Sequence, residues 1–370
     1  MLTSLMIAAA AATAPTIVST EAYEWRGDTI VQGEYRAWAV SPEEIKSTYH
    51  ARPGYFMPIE QSWRRKNDLS AYPRLEASNR LLQAVFNMGL DEMVNAVEPD
   101  TTLRTGKEWA GVWTRDVSYS IILSMAALQP EASRISLMRK VNEQGQIIQD
   151  TGSGGAWPVS SDRLVWVLAA WEVYKVTGDR AWLETAYPIA CRSLAKDSET
   201  VARSGLMTGE TSFIDWREQS YPKWMQTADI AKSEAMGTNM LYAASVRVVS
   251  QMAAMLGKKS EAREYAERAD DIAARVNARF WDDSMGDYFM CTYGRDNLIA
   301  NPRYETLGSS LAVLYGIASP QQARSITEHH PVTPFGTAIF FPQIADMPSY
   351  HNNALWPFVG SYWALANAAA

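Results

Sequence analysis

The chain has 370 residues, 47% of them hydrophobic and 20% charged, with a net charge of −7. That is ample apolar material for a packed core, and an acidic balance with no basic block argues against nucleic acid as a partner. The unusual figures are 14 Trp and 17 Tyr. Aromatic residues at this density serve as core, and they also suit a carbohydrate cleft, because a ring face packs on the apolar face of a pyranose.

The first residues, MLTSLMIAAAAATAPT, hold a short apolar stretch and an Ala-Thr-Ala ending before Pro15. This resembles the core and cleavage site of a secretory signal, although no Lys or Arg precedes Arg26 to form a basic start. Residues 1–20 are therefore expected to be a signal peptide and the protein to be periplasmic or secreted; a frayed Ala-rich terminus is the other reading. The stretch is too short to span a bilayer, and no later apolar run is long enough. Residues 21–70 read as a lead-in: TIVQGEYRAWAV, Thr29 to Val40, mixes β-branched and aromatic residues around Gly33 and suggests strands or an extended arm.

From about Tyr72 the chain reads as helical. Leu75, Leu81, Leu82, Val85, Phe86 and Leu90 recur at helical spacing. Further helices are expected over Asp116 to Leu128, Ser133 to Gln144, from Asp162 to Gly178, and from Arg180 to Ala202, the last containing Pro188. Beyond a long loop come Ile230 to Leu256, Ser260 to Phe280, a short strand in DYFMCTY, then Thr306 to Tyr315, Pro320 to Glu328 and Asn353 to Ala368. Long loops rich in Trp, Asp, Gly and Pro alternate with short ones. Stacked helical hairpins explain that alternation, with all the long loops gathered at one end of a ring.

Four stretches carry residue types suited to sugar chemistry. GKEWAGVWTRDVSY places Trp109 and Trp113 beside Glu108, Arg115 and Asp116 at a helix start; an N-cap Asp with two core tryptophans is the alternative. DTGSGGAWPVSSDR offers Trp157, Asp162 and Arg163, and lacks the GxxxxGK[ST] pattern of a phosphate loop. TGETSFIDWREQSYPKW interleaves Glu210, Asp215 and Glu218 with Trp216, Arg217, Tyr221 and Trp224, and bulky aromatics around a carboxyl raise its pKa, as a general acid requires. SYHNNALWPFVGSYW sets His351 and Asn352 before a helix that carries Trp356 and Trp363. Cys191 and Cys291 lie far apart with no metal spacing, and His50, His329, His330 and His351 fall in no HExxH pattern, so no metal or cofactor is expected.

These stretches resemble the six-hairpin, (α/α)6-toroid glycosidases. WTRD (Trp113 to Asp116) looks like the start of the second helix in rhamnosidase-like members, and YKVTGDRAWLETAYP and ARVNARFWDDSMGDY are similar to their helical phrases. SYHNNALWPF is similar to the HN-x-x-WP phrase of trehalase-like and α-glucosidase-like relatives. The resemblance, over about residues 70–370, implies a mainly α toroid in residues 71–370 and a carbohydrate substrate. It also implies inverting hydrolysis by two carboxyl groups roughly 6.5–9.5 Å apart. In trehalase-like relatives the acid lies between the fifth and sixth helices, which points to Asp215 or Glu218; in rhamnosidase-like relatives it precedes the second helix, which points to Glu108, with Asp116 holding the substrate. About ten helices are countable rather than twelve, and the base in such relatives commonly lies past the HN-x-x-WP helix. The base is then beyond Ala370, supplied by a ring completed differently, or elsewhere in the chain. Alternatives are a sugar isomerase or epimerase on the same toroid, using His329, His330 or His351, and a carbohydrate-binding relative without a full catalytic pair.

Overall fold

The computed structural model describes residues 15–49, 61–150, 161–200, 202–209, 225–294, 298–347 and 349–370. The chain divides into two compact units at Asn95/Ala96.

The first unit is an antiparallel meander of β1 (Thr16–Ser19), β2 (Glu24–Arg26), β3 (Thr29–Gln32), β4 (Tyr35–Ser41), β5 (Glu44–Ser47) and β6 (Ser62–Arg64), paired in chain order, with helix α1 (Arg80–Asn95). The β3–β4 hairpin turns at Gly33, whose φ of 58° is a left-handed value that favours glycine. Trp25, Ile30, Ile45 and Trp63 from the sheet pack against Ala39, Leu81 and Ala84, so α1 belongs with the sheet. Helix α1 starts at Arg80 rather than near Tyr72 because Asn79 caps it, accepting from Leu82 N at 2.8 Å.

Asp91 fastens the segment after β6 to α1. Its carboxylate accepts from Trp63 Nε1 (3.1 Å), Asn67 N (2.9 Å) and Asn67 Nδ2 (2.8 Å). Burial pushes its pKa up, but the bonds from Asn67, Lys66 and Trp63 outweigh burial and hold it below the usual value. A depressed carboxyl stabilises the fold above its unfolded pKa and loses that contribution as pH falls below about 4. Asp91→Ala is therefore expected to cost about 1–3 kcal/mol at pH 7 and less in acid, as read from denaturant midpoints at the two pH values.

The second unit is built of helical hairpins. Helix α2 (Thr114–Ser120) continues through a π-helical turn, Ile121–Met125, into α3 (Ala126–Leu128), and α4 (Pro130–Arg139) returns. The next pair is α5 (Asp162–Thr177) and α6 (Arg180–Thr200), followed after α7 (Thr227–Lys232) by α8 (Met236–Met255) with α9 (Lys259–Phe280). Helix α10 (Thr306–Leu314) pairs with α11 (Pro320–His329), and α12 (Pro357–Ala369) comes last. Side-chain patterning sets which helix faces the centre. Every residue of α8 from Met236 to Val246 is buried, whereas α9 buries only Ala269, Ile272, Val276 and Phe280. A helix apolar all round belongs inside, and an amphipathic one belongs outside.

The inner helices pack side by side in the order α2, α5, α8, α10, α12. The circle closes where Tyr119 of α2 meets Phe358 and Tyr362 of α12, with ring centroids 5.4 and 5.7 Å apart. The mainly α, hairpin-based fold expected from the loop rhythm is thus observed. Several boundaries differ. Pro130 opens α4 instead of merely ending its predecessor, since a missing N–H costs nothing at the first helical position. Helix α4 stops at Arg139 because the chain turns into a Val141–Ile147 bridge. Helix α6 runs through Pro188. Helix α12 begins at Pro357 because Asn353, at φ 53°, stands in a left-handed conformation incompatible with the expected helix start. DYFMCTY forms two short strands, Asp287–Tyr288 and Cys291–Tyr293. Cys191 and Cys291 are free thiols, and burial pushes the Cys291 pKa up to about 12.

Candidate active site

The short connections all follow the C-termini of inner helices, so the N-termini of those helices collect at the other end. Asp150 joins the first two: its Oδ1 accepts from Thr114 N at the start of α2 (3.0 Å), and its own N donates to Asp162 Oδ2 at the start of α5 (2.9 Å). Lys140, just past α4, completes the junction at 2.5 Å from Asp150 Oδ2. The starts of α8 and α10 touch where Gly308 leaves no room for a side chain: an added Cβ would run into Met236 Sδ and Glu305 Oε2. At the start of α10, Thr306 N donates to Ile339 O, and Ile339 N donates to Ala354 O, three residues before α12.

Acidic residues mark this rim. Asp116 is in the first turn of α2, and the buried Asp162 opens α5. Buried Glu234, in the short strand Glu234–Ala235, lies just before α8. Glu305, in the short strand Tyr304–Glu305, caps α10 by accepting from Leu307 N and Gly308 N, each at 3.0 Å. Positive helix ends favour negative charge, so parallel inner helices draw carboxylates to one end. Glu234 is neutralised by Arg279 at 2.6 Å. Sequence reading did not single out Glu234 or Glu305, although a Glu directly before the apolar run TLGSSLAVL is a legible cap signal. Gly308→Ala should cost about 1–3 kcal/mol by overpacking Met236 against Glu305, measurable as a lowered chemical-denaturation midpoint.

The expected site residues take distinct places. Glu108 and Trp109 are exposed on the loop before α2, and Trp109 meets Trp113 edge-on at 6.4 Å. Trp113 is the residue preceding α2, and Arg115 is buried in its first turn. Arg163 points to α6, where its Nε lies 2.7 Å from Asp197 Oδ1. Burial pushes the Asp197 carboxyl up while Arg163 pulls it back. Removing Arg163 would leave Asp197 as a buried acid without its cation, so Arg163→Ala should destabilise the helical unit by about 3 kcal/mol, seen as a lowered melting temperature. Asn352 is engaged with the backbone: Oδ1 accepts from Ile344 N (2.9 Å), and Nδ2 donates to Ile344 O and Met347 O (both 3.1 Å). His351 is buried between Tyr350 and Trp356, at centroid distances of 4.8 and 5.1 Å, and Trp356 approaches Phe358 at 6.0 Å. An aromatic chain thereby runs from Tyr350 to Phe358 and on to Tyr119. Trp157, Asp215, Trp216, Arg217, Glu218 and Trp224 lie outside the described residues.

The histidines beyond α10 are otherwise employed. His329 Nδ1 is 2.8 Å from Ser325 O on the outer helix α11. His330 is held at both nitrogens, 2.8 Å from Asp287 Oδ2 and 2.8 Å from Thr306 Oγ1.

Comparison with known proteins bears on the same elements. Residues 147–308 match the family model described as the bacterial alpha-L-rhamnosidase 6 hairpin glycosidase domain. The matched span runs from the loop before α5 into α10. Among solved structures, the chain is similar to the GH78 family rhamnosidase of Bacillus sp. GL1, at 20% identity and a TM-score of 0.46, over 60% of this chain and 23% of that one. It is also similar to a rhamnosidase from Klebsiella oxytoca with rhamnose bound, at 14% identity and a TM-score of 0.43, over 64% of this chain and 47% of that one. The chain thus spans less than half the length of either protein. No curated protein matches it.

Proposed function

We propose that this protein is a glycoside hydrolase acting at the N-terminal rim of its inner helices, on an oligosaccharide or glycan. The observation that carries the reading is the gathering of Asp116, Asp162 and Glu305 at that rim beside the aromatic chain of Trp356 and Phe358. A carbohydrate needs this pairing of surfaces: ring faces for its C–H faces, and carboxylates for its hydroxyls.

In this reading Asp116 hydrogen-bonds the sugar, and Trp113 and Trp356 flank it. Asp215 or Glu218 protonates the leaving oxygen, with Glu108 as the other candidate acid. A second carboxylate draws a proton from water on the opposite face, so the anomeric configuration inverts. The match to an alpha-L-rhamnosidase domain makes aryl α-L-rhamnosides the first substrates to try, within a wider panel of aryl glycosides. Release of the aryl group followed by polarimetry or NMR tests both parts of the proposal: turnover on any panel member supports hydrolysis, and first-formed product of retained configuration rules out the inverting route. Tight sugar binding without turnover would instead identify a carbohydrate-binding protein. A histidine-based isomerase would have to rest on His351, because His330 is tied to Asp287 and Thr306 and His329 sits on an outer helix; solvent-deuterium incorporation into a free sugar, abolished by His351→Ala, would favour it.

A further inference from the structure

Trp109 is 46% exposed, on the loop from Thr105 to Trp113 that opens α2. Single apolar side chains on a surface are ordinary. What sets this one apart is the loop that holds it and the ring it touches. A slack loop would fold an indole against nearby apolar surface, because burying it is favourable. This loop is closed on itself instead. Thr105 N donates to Gly111 O at 3.1 Å, Gly106 N to Trp109 O at 3.2 Å, and Trp109 N to Gly106 O at 3.1 Å. Arg104 donates to Gly106 O and Lys107 O, both at 2.9 Å, and its guanidinium lies 3.4 Å from Glu98. Thr105 Oγ1 accepts from Trp113 N at 3.3 Å. Gly111, at φ 80°, supplies the left-handed turn that brings the chain back. Each of these bonds uses backbone or the side chains of Arg104, Thr105 and Glu98, so none depends on the indole.

The indole is one ring contact from the proposed sugar site. It meets Trp113 at a centroid distance of 6.4 Å, with the two planes at 87°, and Trp113 directly precedes the helix that carries Asp116. That angle decides what Trp109 can take. A pyranose stacks with its C–H face parallel to an indole, so one sugar cannot lie flat on two perpendicular indoles. A sugar on Trp113 leaves the face of Trp109 to a different ring. We propose that Trp109 is the platform of a second subsite, which binds the sugar unit next to the reacting one. The substrate is then an oligosaccharide rather than a sugar on a small non-sugar group. This inference rests on the proposed hydrolysis site and deepens it. Lys107 and Glu108, exposed on the same loop, are the polar side chains beside the platform. Because the loop is already fixed, binding has little backbone freedom to remove, which favours affinity.

The test uses the full chain with Trp109→Ala and Trp109→Phe, and it reads binding rather than turnover. The probes are L-rhamnose and α-L-rhamnosyl disaccharides. By calorimetry the parent should bind a disaccharide about tenfold more tightly than L-rhamnose. Trp109→Ala should remove most of that advantage, and Trp109→Phe, which keeps a ring face, should retain part of it. Both variants should melt with the parent, because the lost surface is exposed. The emission of Trp109, taken as the difference between parent and Trp109→Phe, should be quenched by acrylamide and protected by the disaccharide but not by L-rhamnose. A parent that binds both sugars alike, an advantage that survives Trp109→Ala, or quenching that the disaccharide leaves unchanged overturns the subsite while the hydrolase reading stands. Absence of all sugar binding overturns both.

Discussion

On the proposed hydrolysis, replacing the general acid is expected to lower turnover of a responsive aryl glycoside by two or more decades. Asp215→Asn, Glu218→Gln and Glu108→Gln remove in turn the three carboxyls that the family resemblance offers for that role, and a positioned proton donor contributes roughly 10²–10⁴-fold. The three variants separate the branches of the resemblance. Loss confined to Asp215→Asn or Glu218→Gln places the acid in the segment between α6 and α7, as the resemblance to trehalase-like enzymes implies. Loss confined to Glu108→Gln places it before α2, as in the rhamnosidase-like ones. Substrates with a good phenolate leaving group depend less on protonation, so the true acid variant should recover part of its rate as the leaving-group pKa falls. Asp116→Asn should behave differently, because a residue that holds the sugar affects binding and rate together. Unchanged turnover in all of these variants would remove the site assignment.

The largest expected effect on stability comes from Asp287. Its Oδ1 accepts from Ser309 Oγ at 2.8 Å and Tyr288 N at 2.7 Å, and its Oδ2 faces His330 Nδ1 at 2.8 Å. The other side of the imidazole meets Thr306 Oγ1, which donates to Ala338 O at 2.5 Å. The His330 ring also stacks on Trp363 of α12 at 4.6 Å. One buried network therefore connects the Asp287–Tyr288 strand, α10, the end of α11 and α12. Asp287→Ala would leave Ser309, Tyr288 N and His330 without their acceptor in a site closed to solvent. Breaking such a pair costs on the order of 3–5 kcal/mol, which for a unit of this size lowers Tm by about 10 °C. His330→Ala should be comparably damaging, since it adds a cavity beside Trp363. Asp287→Asn should lose less, because the amide can still accept from Ser309. Equal stability of Asp287→Ala and the parent would show that the network contributes nothing.

The hairpin rhythm was legible because loop length and composition are local. Which helix of each pair turns inward was not read, although AMGTNMLYAASV carries no charged residue and EAREYAERADDIAARV carries one apolar stripe. The antiparallel sheet was legible only as an extended arm, because its strands are three to seven residues long and mostly half-buried or exposed. The start of α1 was misplaced because Leu75 continues the helical period across a stretch that Asn79 then cuts off. At the rim, Asp116, Asp162, Trp356 and His351 could be named from their settings, since each stands at or before a helix start. Their gathering at one end of a ring was expected from the alternation of loops; the contacts that make it could not be read, because they depend on Asp150 joining two helices and on Tyr119 meeting Phe358 across more than 200 positions. Asn352 and Arg163 have the right chemistry for sugar contacts, but the backbone of Ile344 and Met347 and the carboxylate of Asp197 are nearer at hand. Tyr119 gave no signal: within VSYSIIL it reads as one more apolar helix residue.

The most direct measurement is a crystal structure of the unsubstituted protein soaked with the aryl glycoside, or its released sugar, that it turns over or binds. The account predicts a pyranose seated at the N-termini of α2, α5 and α12, with Asp116 in hydrogen-bonding reach of its hydroxyls and Trp113 or Trp356 against a ring face. A sugar bound at the opposite end of the ring, among the short connections after α5, α8 and α10, would contradict it.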